Sequence, residues 1–205
     1  MTLLLALATD KFIVFAADKR YTVIEDINEY YDDMRKHYRV NDNVIIGFSG
    51  DYNTTVACIN HLKKQSFGRA TVYAIAVKTK RFLKQKLKND TDMQQTVFIG
   101  GIGDGNKITL VSMNHKDNFT LEKIIPGENH FKWSLAYADI SPEPVIKQEI
   151  NQVIQLQEAL SPERVIMIAK KCIKYVSERD NYVSENYDVD TIEVNSYVAE
   201  CLQSH

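Results

Sequence analysis

Thr2 stands directly behind Met1 in this chain, and a small second residue marks an initiator methionine for removal. The threonine would then carry a hydroxyl and a free α-amine together. A hydroxyl is a weak nucleophile until a base lies beside it, and an N-terminal amine can serve as that base. Such a pair suits attack on an amide carbonyl through a covalent acyl intermediate. Asp18 ends the second of two short apolar runs, 2–8 and 12–17, separated by Thr9-Asp10-Lys11. If the runs pair antiparallel, Thr2 and Asp18 come to the same end of the hairpin. The basic segment Arg35, Lys36 and Arg39 follows. A lysine held there by Asp18 would lower the hydroxyl's pKa, because a nearby cation favours the anionic form. Gly50 ends the apolar run Val44 to Phe48, where a side chain would block close backbone approach. A backbone N–H at that point can hold a developing oxyanion.

The elements that must position these groups are legible in outline. Runs 2–8 and 12–17 are nearly continuous in apolar residues, as strands buried on both faces are. Residues 23–35 mix Glu25, Asp26, Glu29, Asp32 and Asp33 with Tyr30 and Tyr31, which predicts a polar loop with short irregular strands. A helix is predicted from Asp51, with Val56, Ile59 and Leu62 on one face. A second runs from Arg69 to Lys88, its tail rich in lysine. Thr96–Ile99 and Lys107–Met113 are predicted strands of a hairpin turned at Asp104-Gly105. Extended segments follow at 120–125 and 131–137. Ser141-Pro142-Glu143 and Ser161-Pro162-Glu163 read as capped helix starts, opening helices 142–158 and 162–178. A strand at 189–194 precedes a tail with helical character. Strands, two helices, strands, two helices and a strand suit two packed sheets with helices outside.

The positions of Thr2, Asp18, Arg20, Thr22, Lys36 and Gly50 resemble those of the proteasome β-subunit/HslV family of N-terminal nucleophile hydrolases. There they are the nucleophile, aspartate, arginine, threonine, lysine and oxyanion-hole glycine. The run Asn41 to Gly50 is similar to the bacterial HslV form. The resemblance implies an α+β fold, a four-layer αββα sandwich, carried by a single domain over residues 1–205. It picks Lys36 over Arg35 and Arg39, because its distance to Gly50 matches. It implies Thr2, Asp18, Lys36, Gly50 and Asp180 as catalytic residues, and Arg20, Thr22 and Phe48 as contacts to substrate. Phe48 would line an apolar side-chain pocket; core packing is its other reading. The family's serine turn has no counterpart in register at Leu135 to Asp139, with Ser134 and Ser141 on either side. The family's Asp followed three residues later by Ser or Thr becomes Asp180 with Ser184, one residue further.

The implied activity is a threonine-type peptidase acting on peptides or unfolded polypeptide without a cofactor. The implied assembly is a homo-oligomeric ring, with an ATP-dependent unfoldase as a possible partner. Two rival readings stand beside it: a non-catalytic scaffold or assembly subunit, and an amidase acting on a small molecule. Composition fits a globular protein, with 44% hydrophobic and 25% charged residues. A formal net charge of −2 gives no general pull toward nucleic acid or anionic membrane. Cys58, Cys172 and Cys201 form no paired motif, which suggests reduced thiols in a cytoplasmic protein. Leu3 to Ala8 lacks the basic flank of a secretion signal, and no apolar stretch nears the roughly 20 residues of a transmembrane helix. The five histidines have no metal-ligand spacing. Gly100 to Gly105 leads into a strand, so it offers no helix N-terminus to a phosphate.

Overall fold

The computed structural model describes residues 3–22, 30–88 and 94–194. Met1, Thr2, most of the acidic loop, Cys201 and the expected helical tail lie outside the described residues. Strands β1 (Leu4–Ala8) and β2 (Phe12–Asp18) form the predicted antiparallel hairpin, with Leu4 opposite Ala17. Every residue of both strands is buried. The reason is the period of two in a strand: alternate side chains serve different cores. Leu5, Leu7, Val14 and Ala16 face the core on one side, while Leu4, Ala6, Ile13 and Phe15 face the other. That double burial is what the unbroken apolar runs encode.

Two-residue strands β3 (Tyr21–Thr22) and β4 (Tyr30–Tyr31) pair with each other. Next come β5 (His37–Asn41), β6 (Val44–Gly50), and helices α1 (Tyr52–Lys63) and α2 (Val72–Lys86). Then follow β7 (Gln95–Ile102), β8 (Ile108–Asn114), β9 (Glu122–Ile124) and β10 (Lys132–Ala136). Helices α3 (Glu143–Gln155) and α4 (Pro162–Ser177) precede β11 (Tyr187–Glu193). One antiparallel sheet has the order β10-β1-β2-β11, and a second the order β5-β6-β7-β8-β9. Ile13, Phe15, Ile45, Phe98 and Leu110 fill the space between the sheets. Helices α3 and α4 cover the outer face of the first sheet, and α1 and α2 that of the second. The four layers are those of an αββα sandwich.

Gly100 shows how tightly the sheets approach. A Cβ there would lie 2.4 Å from Ile13 Cδ1 and 2.8 Å from Phe15 Cε2. Helices α1 and α4 start at side-chain caps: Asp51 accepts from Thr54 N at 2.6 Å, and Ser161 accepts from Arg164 N at 3.3 Å, whereas α3 starts behind Pro142 without one. The second helix begins three residues later than Arg69, because Thr71 takes the cap position and accepts from Ala74 N. Helix α3 ends at Gln155 rather than 158, and β5 is a strand where sequence gave no such expectation. Among the described residues no helix is long and apolar enough to cross a membrane.

Candidate functional site

The first described residue, Leu3, already reports on the position ahead of it. Asp18 is fully buried at the end of β2, and its Oδ1 accepts from Leu3 N at 2.7 Å. Asp18 N in turn donates to Leu3 O at 3.2 Å, which closes the hairpin. The same Oδ1 accepts from Lys36 Nζ at 2.7 Å. Its Oδ2 accepts from Arg20 N at 2.9 Å and from Ser184 N at 3.4 Å. A buried carboxylate is tolerated only when paired and hydrogen-bonded, and four donors satisfy this one. Thus Asp18 fixes, at once, the backbone next to Thr2 and the ammonium of Lys36.

Lys36 is held from both ends. Its carbonyl accepts from Phe48 N of β6 at 2.8 Å, and its side chain is 9% exposed. Burial pushes its ammonium down from the ordinary lysine range, while Asp18 and then Asp32 pull it back up. Arg20 engages Asp32 in a two-pronged pair, Nε to Oδ1 and a terminal nitrogen to Oδ2, both at 2.8 Å. It also donates to the carbonyl of Asn181, and its guanidinium lies 4.0 Å from the Tyr30 ring centroid. The Arg20 pair holds the Asp32 carboxyl below the usual carboxylate range, with help from Ser184 and Lys36.

Gly50 sits at the end of β6 with φ 129°, a conformation that L side chains rarely adopt. A Cβ there would meet Gln94 O at 2.0 Å, so only glycine fits. Gly50 lines a cavity of about 890 Å³ together with Thr22, Tyr52, Gln95, Ser134 and Ala138. The cavity therefore reaches from β3 and the end of β6 to the segment after β10. Thr22 Oγ1 is buried beside it with no hydrogen-bond partner among the described residues. Of the three expected substrate contacts, only Thr22 lines this cavity. Arg20 is committed to Asp32 and Asn181. Phe48 is 2% exposed and packs with Cys58, Ile59 and Leu62 of α1. Strand alternation turns Ser49 toward the cavity and Phe48 toward the helices.

Asp180 lies in the loop after α4, buried, with Oδ1 accepting from Tyr182 N at 2.8 Å. Its Oδ2 has no partner among the described residues. The residue of this loop that reaches Asp18 is Ser184, through its backbone N–H. Asp32 is a site neighbour that sequence reasoning passed over, and Ser184 is one that it named but set aside for its spacing. Asp32 was one acid among several in a polar loop, and only the need of Arg20 for a counter-ion signals it. Ser184 had the right residue type but the wrong spacing.

Cys58 and Cys172 are buried and free, and burial pushes both thiols up to about 12, so neither is a reactive nucleophile. The family model for the proteasome subunit matches residues 2–192, and the chain belongs to that family. No curated protein sequence matches it significantly. Among solved structures, the helical assembly of the Anbu complex from Pseudomonas aeruginosa aligns with a TM-score of 0.72 at 16% identity, covering 95% of this chain and 82% of that one. Eukaryotic HslV from Trypanosoma brucei gives 0.59 at 16% identity, covering 93% and 99%. Anbu, the ancestral β-subunit, from Yersinia bercovieri gives 0.72 at 14% identity, covering 97% and 84%. Likeness at these identities concerns the fold.

Proposed function

We propose that this chain is a threonine-type peptidase subunit in which Thr2, freed by loss of Met1, is the nucleophile. The observation that carries the reading is the Asp18 carboxylate. It bonds the N–H of Leu3, the residue after Thr2, and the Lys36 ammonium, both at 2.7 Å. In this mechanism Thr2 Oγ attacks the peptide carbonyl and its α-amine takes the hydroxyl proton. The Lys36 charge makes the hydroxyl easier to deprotonate. The Gly50 N–H receives the oxyanion, which costs little reorganisation because the backbone there is fixed. Collapse of the tetrahedral intermediate breaks the C–N bond, and the proton leaves with the amine product. Water then hydrolyses the Thr2 ester and regenerates the hydroxyl. Asp180 supports the loop that carries Ser184, and Thr22 meets the substrate backbone.

In this reading one domain spans residues 1–205 and copies of the chain assemble as a cytoplasmic homo-oligomeric ring. An ATP-dependent unfoldase supplies unfolded polypeptide. Thr2→Ala should abolish hydrolysis of fluorogenic peptides, tested with both apolar and polar side chains before the scissile bond, and leave the melting temperature unchanged. Thr2→Ser should retain measurable turnover, since hydroxyl and amine both remain. Equal turnover by wild type and Thr2→Ala would overturn the assignment. A non-catalytic subunit is the second reading, favoured by one observation: the segment lining the cavity after Ser134 runs Leu135-Ala136-Tyr137-Ala138, with no serine hydroxyl to orient the amine. Wild type that has lost Met1 yet turns over no peptide would support it.

A further inference from the structure

Strands that pack between two sheets need apolar side chains on their inward faces, and here that pattern stops at one end. Side chains alternate along a strand, so the inward series on β6 is Ile45, Gly47 and Ser49. On β7 it is Gly100, Phe98 and Thr96, and on β8 it is Leu110, Ser112 and Asn114. Pairing sets Ser49 opposite Thr96 and Thr96 opposite Asn114, so one polar row crosses three strands. From the facing sheet, β10 turns Ser134 inward, opposite Ala6 of β1. Ser49, Thr96, Asn114 and Ser134 all line the cavity that contains Gly50. Asn114 is engaged by Asp117. The hydroxyls of Ser49, Thr96 and Ser134, like that of Thr22, have no hydrogen-bond partner among the described residues. The apolar residues of β7 and β8 that reach the cavity, Phe98 and Met113, are only 3% and 2% exposed. Phe48 is turned away to α1.

We propose that Ser49 and Thr96 form a specificity-determining subsite for a polar substrate side chain next to the scissile bond, one that carries an amide or a hydroxyl. The proposal rests on the peptidase reading and gives it a substrate class. Neither hydroxyl is needed by the core or by a hydrogen bond of the fold, and Ser49 immediately precedes the glycine proposed to hold the oxyanion. An apolar side chain seated on this row would strip water from the hydroxyls and return no hydrogen bond. An ionised one would lose its own hydration against neutral groups. An amide or hydroxyl both donates and accepts, as the row does, so it replaces the lost water in kind. A pocket that binds by hydrogen bonds discriminates against the analogue that lacks them, because its own polar groups are then left unpaired.

The experiment titrates peptide pairs into the full chain carrying Thr2→Ala, in which bound peptide stays intact, and reads Kd by calorimetry. Members of a pair differ only beside the scissile bond, Gln against Leu and Thr against Val. The Gln and Thr members should bind about fivefold tighter or more, and kcat/KM of the wild type should follow the same order. Adding Ser49→Ala and Thr96→Val should bring each pair to within about twofold. Apolar members that bind as tightly as polar ones, no binding by either, or a polar preference unmoved by the two substitutions overturns the proposal. If the combined variant fails to fold, Thr96→Val alone decides, since it keeps the side-chain shape: a reduced preference supports the subsite, and an unchanged one overturns it. If binding follows the expected order and wild type that has lost Met1 cleaves no peptide, the subsite stands and the peptidase reading falls.

Discussion

Asp18 carries a charge where no solvent reaches it, and such a charge persists only because donors surround it. The consequence falls on Lys36 more than on its neighbours. Lys36→Ala removes the ammonium that pairs with Asp18 among the described residues and leaves a buried carboxylate without it, which costs about 3–5 kcal/mol. It also removes the cation proposed to activate Thr2, so kcat/KM should fall by orders of magnitude. Arg35, one residue away, is half-exposed and pairs with Asp190 at 2.9 Å. Exposed pairs contribute at most about 1 kcal/mol, so Arg35→Ala should keep activity and lose little stability. Thermal melts and kcat/KM for the two variants check this together. If they behave alike, the ammonium on Asp18 has no special role.

At the scale of elements, the two sheets are joined at one edge by charge. Arg35, His37 and Arg39 reach Asp190 of β11, with His37 Nε2 at 3.3 Å from Oδ2. His37, then the two arginines, lower the Asp190 carboxyl to about 2. An unfolded aspartate titrates near 3.9. Because the folded value is depressed, the stabilisation is complete above about pH 4 and is lost as pH falls toward 2. Allowing for solvent screening, Asp190→Asn should cost about 1 kcal/mol at pH 7 and almost nothing near pH 2. Denaturant midpoints at the two pH values measure this, and an equal cost at both would refute it. The same edge explains what the sequence conceals. β1, β2 and β6 are legible because burial on both faces removes polar residues from them. β5 reads His-Tyr-Arg-Val-Asn: at the edge of its sheet only His37 is fully buried, and Arg39 is exposed. Its strand character comes from pairing with β6, and no local pattern shows that. At the site, hairpin pairing places Asp18 at the same end as Thr2, whereas Lys36 is singled out from the basic run only by the family resemblance in its distance to Gly50. The direction of Phe48 cannot be inferred, because which face of β6 meets the cavity depends on how the sheets stack. Asp32 stays hidden because loop geometry, rather than any repeat, carries it to Arg20.

Across the whole molecule, charge is divided between layers. Residues 52–88, the α1–α2 layer, hold nine of the 25 Lys and Arg and none of the 27 Asp and Glu. Two such layers from different copies would repel. The α3–α4 side, by contrast, carries acidic and basic residues together and leaves Ile154, Leu156 and Met167 exposed. All of this serves catalysis only if the chain loses Met1, because the base in the mechanism is the α-amine of Thr2. The direct measurement is the intact mass of the protein from its native host, before and after incubation with a peptide electrophile such as a vinyl sulfone. Expected is a mass lacking one methionine, then a single adduct that maps to Thr2 and is absent from Thr2→Ala. A mass that retains Met1 throughout, or an adduct that survives Thr2→Ala, would contradict the central claim.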